Sequence, residues 1–239
     1  MNLVKKIRIM KIGLLECDHV LPDLQRIGGD YRDMFPALLP AAFEFVNYDV
    51  CKGQLPASPA ECDAWLCTGS KHSVYEEIGW VLALKDFVRK LNEQRVKFIG
   101  VCFGHQMLGE ALGGKVQKGT MGWCVGVHAF EICEMESWMD PYHTHINLLM
   151  SCQDQVVVLP ENSKVLATAK DCPVSMFQVG DHALGIQAHP EFPLEYAAAL
   201  MEKRVERIGV EKVEQARETF SLSLHDRVIA QWMVRFLKG

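Results

Sequence analysis

No stretch of the chain approaches the roughly 18–20 consecutive apolar residues that a membrane helix needs, so no span is expected. Basic residues do not dominate. The 25 Lys and Arg face 30 Asp and Glu, for a formal charge of −5. Nucleic acid and anionic membrane both call for a basic footprint, so neither is expected as a partner. There is no G-x-x-x-x-G-K-[ST] loop and no Ser-Gly-Gly-x-Asp-Ser loop of the kind that binds ATP pyrophosphate. The chain thus shows no means of activating an acceptor, and no cofactor is expected. Internal repeats, Pro- or Ser-rich linkers and long charge blocks are also missing, which points to one domain over residues 1–239. What remains is ordinary globular composition, with 49% hydrophobic and 23% charged residues in 239. A chain of that length buries roughly 70–75% of its unfolded surface.

The cysteine count is nine, odd and without a regular framework, which fits reduced thiols in a cytoplasmic protein. The start, MNLVKKIRIMKIGLLECD, has the basic-then-apolar order of a signal peptide. Lys11 interrupts the apolar run and no small-residue cleavage site follows, so Ile7–Leu15 reads as a first strand. Cys17-Asp18-His19 and His143-Thr144-His145 have spacings a metal uses. Each offers only two ligands and no partner pair stands at zinc-finger spacing, so both read as polar loops and no metal is expected.

Strand-like and helix-like segments alternate in the first half. Phe43–Val50 and Asp63–Cys67 read as strands, and Val74–Leu91 as a helix with Val81, Leu84, Val88 and Leu91 on one stripe. Val96–Val101 is a buried strand, and Gly104–Leu112 a helix ended by Gly113-Gly114. This order predicts an α/β fold: an open, mostly parallel sheet with helices on both faces. Val125–Ile132, Gln155–Leu159, Lys164–Ala169, Val174–Val179 and Leu184–Ala188 are shorter strands between turn signals, expected as antiparallel additions to that sheet. Residues 193–239 read as a helical extension in about three pieces, broken near Gly209 and Ser221.

Gly100-Val101-Cys102-Phe103-Gly104 lies between the buried strand and the helix. A sharp strand-to-helix turn lifts its central side chain to the carboxyl edge of the sheet, where open α/β sheets place ligands. Strand and helix cross closely there, so the positions two residues away must be small, as Gly100 and Gly104 are. The helix N-terminus favours negative charge on the sulfur, and the Phe103 N–H points at an oxyanion on an attached carbonyl. A buried Cys in a glycine-rich turn is the alternative. Gly185-Ile186-Gln187-Ala188-His189-Pro190-Glu191 bears on that choice. A nucleophilic Cys needs a base, and the base needs an orienting acceptor. His189 and Glu191, two apart in a segment that Pro190 keeps extended, can face the same way.

GVCFGHQMLGEALGG and GIQAHPEF resemble the two signature segments of class I glutamine amidotransferase domains, a flavodoxin-like fold. CTGSKHSVYEE resembles that family's oxyanion strand, and SCQDQVVVLP the segment holding the substrate's amino-acid end, so residues 8–195 are covered. The resemblance implies a Cys-His-Glu triad of Cys102 as nucleophile, His189 as acid and base, and Glu191 as orienter. It further implies oxyanion or substrate contacts at Gly69, Ser70, Phe103, Gln106, Ser151 and Cys152, while Trp123 is either a lining residue of that site or a buried core aromatic. In one place the chain departs from the pattern: Ser151-Cys152 stands where these domains usually read Ser-His. Within the family the chain most resembles free-standing domains similar to the amidotransferase part of GMP synthase, a group that includes the γ-glutamyl peptidases.

Three functions follow as expectations. One is hydrolysis of the glutamine γ-amide through a thioester, with a separate synthetase subunit receiving the ammonia. Another is stand-alone cleavage of γ-glutamyl peptides or conjugates. The third is a regulatory module without activity, against which the matched Cys, His and Glu argue. Stress-protein and protease relatives with a similar elbow place His directly after the Cys, whereas Phe103 follows it here.

Overall fold

The computed structural model describes residues 9–39 and 43–239. In chain order the elements are β1 (Met10–Glu16), α1 (Gln25–Gly28), α2 (Tyr31–Leu38), β2 (Phe43–Asp49), β3 (Ala64–Cys67), α3 (Gly79–Glu93), β4 (Lys97–Val101) and α4 (Phe103–Ala111). Next come β5 (Lys115–Lys118), β6 (Cys124–Ile132), β7 (His145–Cys152), β8 (Asp154–Val158), β9 (Ser163–Ala169), β10 (Cys172–Val179) and β11 (Ala183–Ile186). The chain closes with α5 (Leu194–Lys203), α6 (Val205–Ile208), α7 (Val210–Thr219) and α8 (Asp226–Lys238).

Nine strands form one sheet in the order β2-β1-β3-β4-β11-β10-β9-β6-β7. The first five are mutually parallel and the last four alternate. Side-chain alternation along the parallel strands divides the core in two. Ile12, Leu14, Leu66, Ile99 and Val101 share one cluster with Met34 and Phe35 of α2 and Trp232 and Phe236 of α8. Leu15, Trp65, Cys67 and Phe98 share the other with Leu84, Phe87 and Val88 of α3 and Met107 of α4. Helices cover both faces, as the alternating pattern predicts, and α2 adds one that the pattern does not mark.

The departures are local. Of the expected strand Ile7–Leu15, residues 7 and 8 lie outside the described residues, and β1 starts at Met10. Helix α3 starts at Gly79 rather than Val74, because the Glu76 carboxylate accepts the Ser73 N–H at 2.6 Å and holds a turn there. Of the strands expected as antiparallel additions, Leu184–Ala188 corresponds to β11, which pairs parallel with β4 and completes the parallel half, and Gln155–Leu159 does not join the main sheet, β8 pairing with β5 in a separate two-stranded ribbon. His145, read as loop, opens strand β7 at the sheet edge. The extension has four helical pieces, interrupted at Arg204, at Gly209 with φ 96°, and over residues 220–225.

Strands β3, β4 and β11 are neighbours, with Cys67 opposite Gly100 and Gly100 opposite Gly185. Their carboxyl ends therefore bring residues 69, 102 and 189 together from distant parts of the chain.

Candidate active site

Cys102 has φ 50° and ψ −98°, a backbone conformation that residues other than glycine rarely adopt. Surrounding backbone bonds hold it there. Its N–H donates to Ile186 O at 2.8 Å, its carbonyl accepts the Gln106 N–H at 3.0 Å, and the Gly104 N–H donates to Thr68 O at 3.2 Å. A Cβ on Gly100 would overlap the Gly104 carbonyl, and one on Gly104 would lie 2.5 Å from the Cys67 carbonyl oxygen. The two glycines are thus fixed by backbone contact between β4, α4 and β3. Phe103 opens α4, so its N–H has no acceptor within the helix and stands at the turn next to Cys102.

His189 follows β11, and its N–H donates to Leu149 O at 2.8 Å. Ring Nδ1 bonds Glu191 Oε1 at 2.7 Å, and both side chains are buried. The ring lies flat on Phe192, with centroids 3.9 Å apart and planes within 7°. Burial opposes a charge on this ring. The Cys102 sulfur and the Glu191 carboxylate outweigh it and push the imidazole up to about 10. With Nδ1 taken by Glu191, Nε2 is the ring nitrogen left for Cys102, which lines the same cleft. The imidazolium resonance of His189 should therefore persist through neutral pH in a nitrogen-15 titration. In Cys102→Ala its midpoint should fall, because the charge that raises it most is gone; an unchanged midpoint would separate the two groups.

Gly69 lies under this ring: a Cβ there would stand 2.8 Å from His189 Cε1. The oxyanion-strand segment is tied to the end of β1 by Thr68 Oγ1, which accepts the Cys17 N–H at 3.0 Å, and by Ser70 Oγ, which donates to Cys17 O at 2.8 Å. Gln106 is buried and donates to Asp154 O at 2.7 Å and Gln187 Oε1 at 3.2 Å. Ser151 Oγ accepts from Arg204 at 3.3 Å. Cys152 is buried opposite Cys124 of β6. Their hydrogen bond together with burial pushes the Cys152 thiol well up, so it offers a neutral group where an imidazole is usual. Cys102, Ser70, Gln106, Ser151, Cys152 and Trp123 all line one cleft of about 210 Å³. A larger cavity of about 660 Å³ lies between β6, β9 and α7 and holds neither Cys102 nor His189.

A second cleft of about 250 Å³ shares Cys102 with the first and includes His189, Tyr31, Tyr196 and Arg204. Tyr31, Tyr196 and Arg204 carry no sequence motif. Tyr31 is placed by the cap of α2, where Asp30 accepts the Tyr31 N–H at 2.9 Å. The same Asp30 bonds His19 Nδ1 at 2.8 Å, and His19 Nε2 meets Asp49 at 3.1 Å. Burial works against a charge on His19, and the two carboxylates outweigh it, raising its pKa. Both nitrogens are thus engaged in holding the loop after β1 to α2 and to the end of β2.

The family model described as "Glutamine amidotransferase class-I" matches residues 60–206. The chain belongs to the class I glutamine amidotransferase family. Among its curated relatives is γ-glutamyl peptidase 3 of Arabidopsis thaliana, 29% identical over 203 residues, covering 80% of this chain and 82% of that one. γ-Glutamyl peptidase 4 of the same plant is 31% identical over 172 residues, covering 69% and 68%. The glutamine-hydrolysing GMP synthase of Chlamydia caviae is 27% identical over 168 residues, covering 69% of this chain and 31% of that one. A glutamine amidotransferase of Thermotoga maritima has the same fold, with a TM-score of 0.76 at 19% identity and 97% coverage of both chains. Such amidotransferase domains share the mixed sheet and flanking helices seen here.

Proposed function

We propose that the chain hydrolyses a γ-glutamyl amide through a Cys102 thioester. The observation that carries this reading is the buried His189–Glu191 pair at 2.7 Å, aimed at a cysteine held at φ 50°. Cys102 is the nucleophile and His189 its proton partner. The sulfur attacks the γ-carbonyl carbon, and the oxyanion takes the N–H groups of Phe103 and Gly69. The C–N bond breaks as His189 gives its Nε2 proton to the leaving amine. Neutral His189 then removes a proton from water, whose oxygen attacks the thioester. The C–S bond breaks, glutamate is released, and Cys102 and His189 return to their starting protonation. Glu191 holds the ring and stabilises its charge in both halves. With glutamine the leaving amine is ammonia, which a separate synthetase subunit would use; with a γ-glutamyl peptide it is an amino acid or peptide. The nine free thiols suit work in the cytoplasm.

The test uses a glutamine-shaped chloroketone at limiting concentration, with the adduct located by mass spectrometry. Cys102 should carry it, although Cys133 is the exposed thiol and takes a small non-specific alkylator first. Labelling of Cys133 by both reagents would remove the proposed pocket.

A further inference from the structure

Two clefts with different linings meet at Cys102. Gln106, Asp154 and Glu76 line only the first, whereas His189, Tyr31, Phe192 and Tyr196 line only the second. If the chain cleaves a γ-glutamyl amide, the amine leaves toward the group that protonates it, His189, and so departs into the second cleft. The γ-glutamyl end then occupies the first, where the Asp154 and Glu76 carboxylates suit an α-ammonium.

The second cleft has an apolar wall of Tyr31, Phe192, Tyr196 and Leu200 and a cationic rim. Two of the rim cations are already paired: Lys71 with Asp18 at 2.9 Å, and Lys203 with Asp23. Arg204 stands where the two clefts meet and lines both. Among the described residues it has no carboxylate partner, and its one hydrogen bond goes to the Ser151 hydroxyl. Its charge is felt inside the second cleft. Burial pushes the Tyr196 hydroxyl up to about 12, and the Arg204 guanidinium is the group that pulls against it. The neighbouring Arg207 also lines both clefts, but it is exposed and stands over the Trp123 ring, 5.5 Å from its centroid. Arg204 is only half-buried, at the break between α5 and α6, so its guanidinium is available to an incoming ligand.

We infer that the second cleft is a subsite for the leaving half of a γ-glutamyl peptide, with Arg204 reading that half's free C-terminal carboxylate and the aromatic wall taking an apolar side chain. This rests on the γ-glutamyl reading above. A planar guanidinium without a carboxylate partner matches an incoming carboxylate in two-point geometry, and it discriminates strongly against a neutral carboxamide.

The experiment compares γ-glutamylphenylalanine with its C-terminal carboxamide on the full chain, with Cys102→Ser as blank. The wild type should favour the acid by about tenfold or more in kcat/KM, the scale of one charge-assisted hydrogen bond. Arg204→Gln should bring the ratio to within about twofold of unity, and Arg204→Lys should restore part of the preference. Because the ratio is internal to each enzyme, a partly misfolded variant does not shift it. A wild-type ratio near unity, or one unchanged in Arg204→Gln, overturns the assignment. Ammonia released from glutamine with neither peptide cleaved overturns the subsite and leaves the γ-glutamyl reading standing. No Cys102-dependent release from any of the three removes both.

Discussion

Cys102→Ser is expected to lower turnover of every γ-glutamyl substrate by at least about 10³-fold while the fold persists. The change replaces one small atom by another inside an elbow whose shape is set elsewhere, by the Ile186, Gln106 and Thr68 backbone bonds and by Gly100 and Gly104. The chemistry is not preserved. A hydroxyl holds its proton far more tightly than a thiol, and the sulfur that raises His189 is lost. Ammonia and glutamate release by pure protein, with circular dichroism and the thermal midpoint as controls, measures both halves. Residual activity above a few per cent with native Tm would move the nucleophile away from residue 102.

Glu191→Gln should lower kcat by about 10²–10⁴-fold with little change in KM. Glu191 Oε1 bonds His189 Nδ1, while Oε2 is buried with no hydrogen-bond partner among the described residues. Glutamine that keeps its carbonyl on Nδ1 must leave its NH₂ in the unpartnered place, at a stability cost of about 1–3 kcal/mol. Glutamine that turns round presents N–H to N–H and loses the ring orientation. Either way the positive charge on His189 loses its counter-charge in a buried site. Because the three residues act as a unit, removing His189 as well should add little. A double variant far worse than either single one, or a loss entirely in KM, would give Glu191 a binding role instead.

The sequence discloses the parallel half of the sheet more clearly than the antiparallel half. Buried parallel strands such as Asp63–Cys67 and Val96–Val101 are continuous apolar runs, and each starts one residue from where it was read. His145–Cys152 is apolar at Leu148, Leu149 and Met150 without strict alternation, so periodicity alone does not separate strand from helix there. Gln155–Leu159 reads correctly as extended, but its partner, β5, is too short and polar to announce itself. The same division holds at the site. The grouping of Cys102, His189 and Glu191 at one sheet edge is legible because their neighbours are constrained: Gly100 and Gly104 mark the turn, and Pro190 separates His189 from Glu191. Tyr31 and Arg204 reach the second cleft by other means, the first through a helix cap and the second through a break between two helices. Neither device constrains the residue types around it tightly enough to mark a site in the sequence.

The crossing of β4 and α4 at backbone contact has a consequence for evolution. Gly100 and Gly104 are demanded by steric exclusion, and that demand stays the same whatever atom stands at position 102. A descendant that lost its sulfur would remain under selection to keep both glycines for as long as it kept this architecture. The glycines are therefore inherited with the scaffold, and only the sulfur, imidazole and carboxylate together are inherited with the proposed reaction. Gene copies released from catalysis would first drift at Cys102, His189 and Glu191 and keep the glycine signature intact.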